Sequence, residues 1–227
     1  MASAALVLLA ALALAACAAR PAPPEWKMNA HDAAERATRA WLSGDGRVAG
    51  QEWKRARAEV ARTGNPALLA RLELMRCAAL LASLDMEGSA CPAFEALRVD
   101  AEPAERAYAA YLAGRLPDAG GVELLPAAQR AAATDPRAIA AIGDPLARLV
   151  AAGAALQAGT ATPGTLELAT ETASREGWRR PLLAWLLLRI ERAEAVGDGA
   201  TAGALRRRVA VVEAGGAPPA GADTPGR

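Results

Sequence analysis

The chain has 227 residues, enough for one domain with a real core or for a short array of helical units. Its 26 basic and 25 acidic side chains leave a formal net charge of +1, with no acidic tail and no sustained basic block. A basic stripe is the footprint expected of a nucleic-acid binder, so that class of partner is excluded; aromatics make up only 4% of residues, which leaves any core short of large side chains.

The chain opens with MASAALVLLAALALAACAA, in which Ala4 to Ala16 is an unbroken apolar run. That is the length of a signal-peptide core and falls short of the about 20 apolar residues that cross a bilayer. Leu14-Ala15-Ala16-Cys17 closes the run, and a Pro-rich stretch follows. The arrangement resembles the lipobox of bacterial lipoproteins. The resemblance implies that the Cys17 thiol receives a diacylglyceryl group and that Cys17 becomes the mature N-terminus. Ala18 and Ala19 stand where an Asp tends to hold such proteins in the inner membrane, so it also implies an outer-membrane anchor facing the periplasm. Two or more acyl chains hold a protein firmly, where one binds marginally. Residues 1–16 then form the signal peptide, and 17–25 the lipidated cysteine with a linker that extends on the order of 25 Å in polyproline geometry. Met1-Ala2-Ser3 departs from the pattern in carrying no Lys or Arg, which leaves open a start further upstream or a short uncleaved anchor.

With Cys17 assigned to lipid, Cys77 and Cys91 remain as a pair in an oxidising compartment, and a Cys77–Cys91 disulfide is expected. Closing a loop of about 15 residues stabilises by ~3 kcal/mol in the chain-entropy estimate. Two buried free thiols are the alternative.

Residues 26–214 read as an all-helical domain, because apolar residues recur at three and four and β-branched alternation is almost absent. A first helix is expected from Asn29, as its cap, to Ser43, with Ala33, Ala37 and Trp41 inward. Gly44-Asp45-Gly46 ends it, and a one-sided helix follows from Arg47 to Thr63 around Ala49, Trp53, Ala56 and Val60. Gly64-Asn65-Pro66 opens a third, with Leu68, Leu72, Met75, Ala79 and Ala82 as a stripe widened by Leu69. The predicted bridge staples a hairpin around an Asp85-to-Ala90 turn, with Cys91-Pro92 starting the next helix. Further helices are expected over Pro103 to Leu112, Val122 to Ala132, and after Asp135-Pro136, Asp144-Pro145 and Thr162-Pro163, each with proline at a first helical position. Pro181 to Val196 contains LLAWLLL and is expected to be the central, most buried helix. Gly197-Asp198-Gly199 breaks it, and Thr201 to Glu213 closes the fold with Leu205, Val209 and Val212 inward. Residues 215–227 lack core formers and read as a disordered tail.

The two GDG turns sit in similar settings, with Ala49, Gly50 and Arg55 matching Ala202, Gly203 and Arg208. Ordinary turn chemistry accounts for the likeness equally well, since Gly ends a helix and Asp caps the next. Ala37, Ala49, Trp53 and Ala56 resemble the small and aromatic positions of a tetratricopeptide hairpin, and Ala202 is the one match in the second. The resemblance implies stacked αα-hairpins of solenoid type; without a running 34-residue period, an irregular helical bundle stays open. WKMNA, RARAEVARTG and GWRRPLLAW are similar to segments of uncharacterised helical envelope lipoproteins of Gram-negative bacteria, a resemblance that brings no activity with it.

No residue set reads as catalytic. His31, with Asp32 beside it, is the sole histidine and reads as an exposed polar residue, and no Cys pair has zinc spacing. Neither GDG turn makes a phosphate loop. Glu167 and Glu171 share a helix face and could in principle divide acid and base work, but read as a solvated pair offset by Arg175. Arg179-Arg180 and Arg206-Arg207-Arg208 read as solvated rather than as an anion site. Trp26, Trp41, Trp53, Trp178 and Trp185 read mostly as filler between Ala-rich helices. No cofactor or metal is expected. The expectation is an outer-membrane-anchored periplasmic lipoprotein, a non-enzymatic scaffold for an envelope protein partner. A helical cell-wall-active enzyme, or a carrier of a lipid or small apolar ligand, are the alternatives.

Overall fold

Caps decide where most of the helices begin. In the computed structural model, which describes residues 22–115 and 118–215, α1 (Glu25–Ser43), α2 (Gly46–Ala61) and α3 (Pro66–Ala82) follow one another closely. The Asp45 carboxylate accepts from Val48 N–H at 2.9 Å to open α2, and Asn65 Oδ1 accepts from Ala67 and Leu68 N–H to open α3. Two short helices, α4 (Met86–Ser89) and α5 (Pro92–Glu95), and a 3-10 turn (Arg98–Asp100) lead to α6 (Pro103–Leu112). Then come α7 (Ala119–Glu123), α8 (Ala127–Thr134), a 3-10 turn (Pro136–Ala141), α9 (Pro145–Gln157), α10 (Pro163–Arg175), α11 (Arg179–Ala195) and α12 (Gly199–Ala214). The fold is all-α, without strand among the described residues, and consecutive helices pack as pairs: α1 on α2, α9 on α10, α10 on α11 and α11 on α12.

The two GDG turns match bond for bond. Gly44 and Gly197 both take the left-handed conformation, at φ 100° and 76°. Asp45 N–H donates to Ala40 O and Asp198 N–H to Ala193 O, both at 2.8 Å, and each aspartate then caps the following helix. This is the expected turn chemistry, realised twice. Under it, Ala37, Ala49 and Ala56 are essentially fully buried with Trp53, on the apolar faces expected from their spacing, and Ala202 is buried as well.

The main core joins α3, α6, α9, α10, α11 and α12, while a smaller one of alanines around Trp53 lies beneath α1 and α2. The axis of the main core is α3 against α9. A Cβ added to Gly153 would come within 2.8 Å of Leu81 Cγ, so the two helices approach as closely as a glycine allows. Trp185 reaches in from α11, fully buried, and its indole N–H donates to Ala82 O at 3.1 Å.

Several expectations need correction. The first helix starts at Glu25 after Pro24, so Asn29 lies within it and caps nothing. Pro126 divides the helix expected over Val122 to Ala132, because proline removes a donor and its ring clashes with the preceding turn. The Asp135-Pro136 start yields a 3-10 turn, and the expected Asp85-to-Ala90 turn contains α4. LLAWLLL is not the most buried helix: α11 exposes Leu187 at 55%, and α3 and α9 bury more of their length. Met75, expected in the α3 stripe, is exposed. Cys17, residues 1–16 and the tail from 216 onward lie outside the described residues.

Candidate functional site

A groove of about 650 Å³ opens between the α9–α10 connection, α10, α11 and the first half of α12. Its floor is Leu166, Ala193 and Leu205, all buried, with partly buried Leu156 beside them. Three of these face each other because α10, α11 and α12 pack in sequence and each turns its apolar side to the next. Arg189 and Arg192, three apart on one face of α11, stand at the rim with Glu167 and Asp198. Among the described residues neither arginine has a hydrogen-bond or ion-pair partner, and Arg189 is half-buried. The polar groups nearer the walls are already committed: the Thr162 hydroxyl takes part in a capping box with Thr165, and Asp198 Oδ1 accepts from Thr201 N–H at 3.0 Å. The Thr201 hydroxyl and that N–H together hold the Asp198 carboxyl below the usual carboxylate range.

A smaller groove of about 340 Å³ lies between α3, α6 and the α7–α8 break, lined by exposed Met75 and Leu124 with Tyr108 and Leu125. It exists because Pro126 interrupts the chain there. Desolvation raises the phenols of Tyr108 and Tyr111 far above the ordinary tyrosine range, which keeps both neutral. Tyr111 donates to Gln129 Oε1 at 2.9 Å, and Gln129 Nε2 donates to Ala147 O at 3.0 Å, a buried relay from α6 through α8 to α9.

Sequence reasoning missed a ladder of buried carboxylates. Each is held by an arginine of a preceding helix: Arg36 Nε to Glu52 at 3.0 Å, Arg57 Nε to Glu73 at 2.7 Å, Arg71 Nε to Glu105 at 2.7 Å. The glutamate side chains are 10%, 3% and 7% exposed, so each guanidinium neutralises a charge that burial alone would not permit. The first two pairs share a sequence separation of 16, the signal by which they could have been found.

Cys77 and Cys91 are bonded as a disulfide with Cα atoms 5.7 Å apart, both buried. His31 is exposed and pairs with Glu35 at 3.2 Å, away from either groove. Glu171 pairs with Arg208 at 2.8 Å rather than with Arg175, which donates instead to the Glu171 carbonyl. Arg206 pairs with Glu194, and Arg180 spans to α1, so neither arginine run forms a shared anion site. Trp53 and Trp185 are buried filler, and no tryptophan lines either groove. Among the described residues no three His, Cys, Asp or Glu side chains come together as a metal-holding group, and no helix is long and apolar enough to cross a membrane. Compared with protein-family models, with curated proteins and with solved structures, the chain matches none.

Proposed function

We propose that the chain is a lipid-anchored envelope protein that serves as a non-enzymatic binding scaffold. The observation that carries the scaffold reading is the sequential packing of helix pairs, which offers a protein partner an extended helical surface, and the groove of about 650 Å³ between consecutive pairs, within the size range of ligand-binding pockets, adds a ligand site to it. Its polar groups either cap helices or stand at the rim as charges, an inventory suited to holding a ligand. The address rests on the apolar segment ending at Leu14-Ala15-Ala16-Cys17. The Cys77–Cys91 disulfide supports it, since such bonds persist in oxidising compartments. The same groove favours a second reading, carriage of a small apolar ligand, over action on the cell wall. The partners are the membrane, through Cys17 and most simply the outer membrane's periplasmic face, and an envelope protein.

The experiment is fractionation of Gram-negative cells producing the wild-type chain and Cys17→Ala. The proposal expects the wild-type protein in the membrane fraction, released by detergent but not by salt, and the variant displaced from it. Equal distribution of the two would overturn the address.

A further inference from the structure

We infer that the groove between α10, α11 and α12 binds a single-chain anionic amphiphile, with its alkyl body on the Leu166, Ala193 and Leu205 floor and its carboxylate head against Arg189 and Arg192. This names the ligand of the groove and rests on the binding reading alone, not on the anchor. The charges choose the sign of the head. Arg206 is paired with Glu194 and Arg208 with Glu171, while among the arginines of this hairpin without an acid partner Arg189 and Arg192 are the two that line the groove. Arg189 is half-buried and Arg192 exposed, and, one turn apart on α11, the two are spaced to meet one carboxylate from the same side. Of the rim acids, Asp198 is tied to the first turn of α12, and Glu167 alone stands free among the described residues. The first turn of α10, at Thr162 and Pro163, also lines the groove and adds the positive end of a helix dipole.

The walls choose the body. A bound peptide needs free donors and acceptors for its backbone, whereas here the Thr162 hydroxyl and the Asp198 carboxylate are engaged in caps. An alkyl chain needs none, and burying it removes apolar surface from water.

The test is calorimetric titration of the full chain, and of its Cys17→Ala variant, with dodecanoate and dodecyltrimethylammonium below their micellar concentrations and dodecanol below its solubility limit. We expect saturable dodecanoate binding near one per chain, with the cationic homologue at least tenfold weaker. Arg189→Gln with Arg192→Gln should weaken dodecanoate at least tenfold and leave dodecanol unchanged. Ala195→Trp, at an exposed lining position, should block all three while the unfolding midpoint holds. If that variant does not fold, amide shift changes in the wild-type chain at Leu166, Ala193 and Leu205 on adding dodecanoate replace it. Failure to saturate, equal affinity for both head charges, or indifference to the arginine pair would each overturn the inference. Cys17→Ala should bind as the wild type does, so loss of the anchor reading leaves this result intact.

Discussion

The Arg180 guanidinium lies over the Trp41 ring, 3.8 Å from its centroid, and its Nε donates to the Trp41 carbonyl at 2.8 Å. Its Nη2 reaches Gly44 O at 3.1 Å, so one side chain from the first turn of α11 caps the end of α1. A cation at a helix C-terminus is favoured by the dipole, and the Trp41 and Gly44 carbonyls, which also accept from Gly44 and Gly46 N–H, have second lone pairs for it. The contact spans most of the chain and fastens the first hairpin to the last. Arg180→Ala should therefore cost about 1–2 kcal/mol in urea unfolding, summing a cation–π contact and the lost cap bonds. Arg180→Lys should recover less than half, because an ammonium cannot both stack and fork; full recovery by lysine would show that charge alone matters.

The carboxylate ladder predicts an asymmetry between ion pairs. Removing Arg57 leaves Glu73 buried without its counter-ion, and Arg57→Ala should cost about 2–3 kcal/mol, discounted from the fully buried case because the arginine is 38% exposed. Adding Glu73→Leu should restore most of it. Arg62→Ala, which breaks an exposed pair with Glu59, should change stability by less than about 1 kcal/mol. Equal losses at Arg57 and Arg62 would show that burial of the acid is not what sets the cost.

Within a single GDG turn the two glycines should behave in opposite ways. Gly197 sits at φ 76°, where a side chain costs about 1–2 kcal/mol, so Gly197→Ala should lower the urea midpoint. Gly199 has open space around it and a helical backbone, so Gly199→Ala should be neutral or stabilising by up to ~1 kcal/mol.

Three carboxylates are held below their ordinary range: Glu95 by a hydrogen bond from Arg98, Asp135 by one from Arg137 and Asp198 by Thr201. A carboxylate whose folded pKa lies below its unfolded value stabilises fully above the unfolded value, about 4, and loses that contribution as pH falls through the folded one. The urea midpoint should therefore be flat from about pH 7 to 5 with respect to these groups and fall below about pH 4. In carbonyl chemical-shift titrations, Asp198 should titrate below an unfolded-peptide aspartate; a higher midpoint would contradict the cap geometry.

Capped boundaries were legible because cap residues carry their geometry with them: Asn65, Asp144 and Thr162 open the helices that Asn-Pro, Asp-Pro and Thr-Pro pairs announce. Apolar runs were less informative. In LLAWLLL every helical face looks alike, so nothing local says that Trp185 enters the core while Leu187 meets solvent; that depends on where α3 and α10 sit. Glu52, Glu73 and Glu105 were missed for a related reason, since a carboxylate becomes buried only once an arginine from another helix meets it. The groove was out of reach as well, because its floor joins Leu166, Ala193 and Leu205 from three helices whose contact is set by tertiary packing.

The proposed export and tethering through the Cys17 thiol can be read from the intact mass of the protein purified from Gram-negative membranes. A tethered protein is expected to be a polypeptide beginning at Cys17, heavier than its sequence by a diacylglyceryl group and further acylation, and lighter by two hydrogens for the Cys77–Cys91 bond. An unacylated polypeptide with residues 1–16 still attached would contradict it.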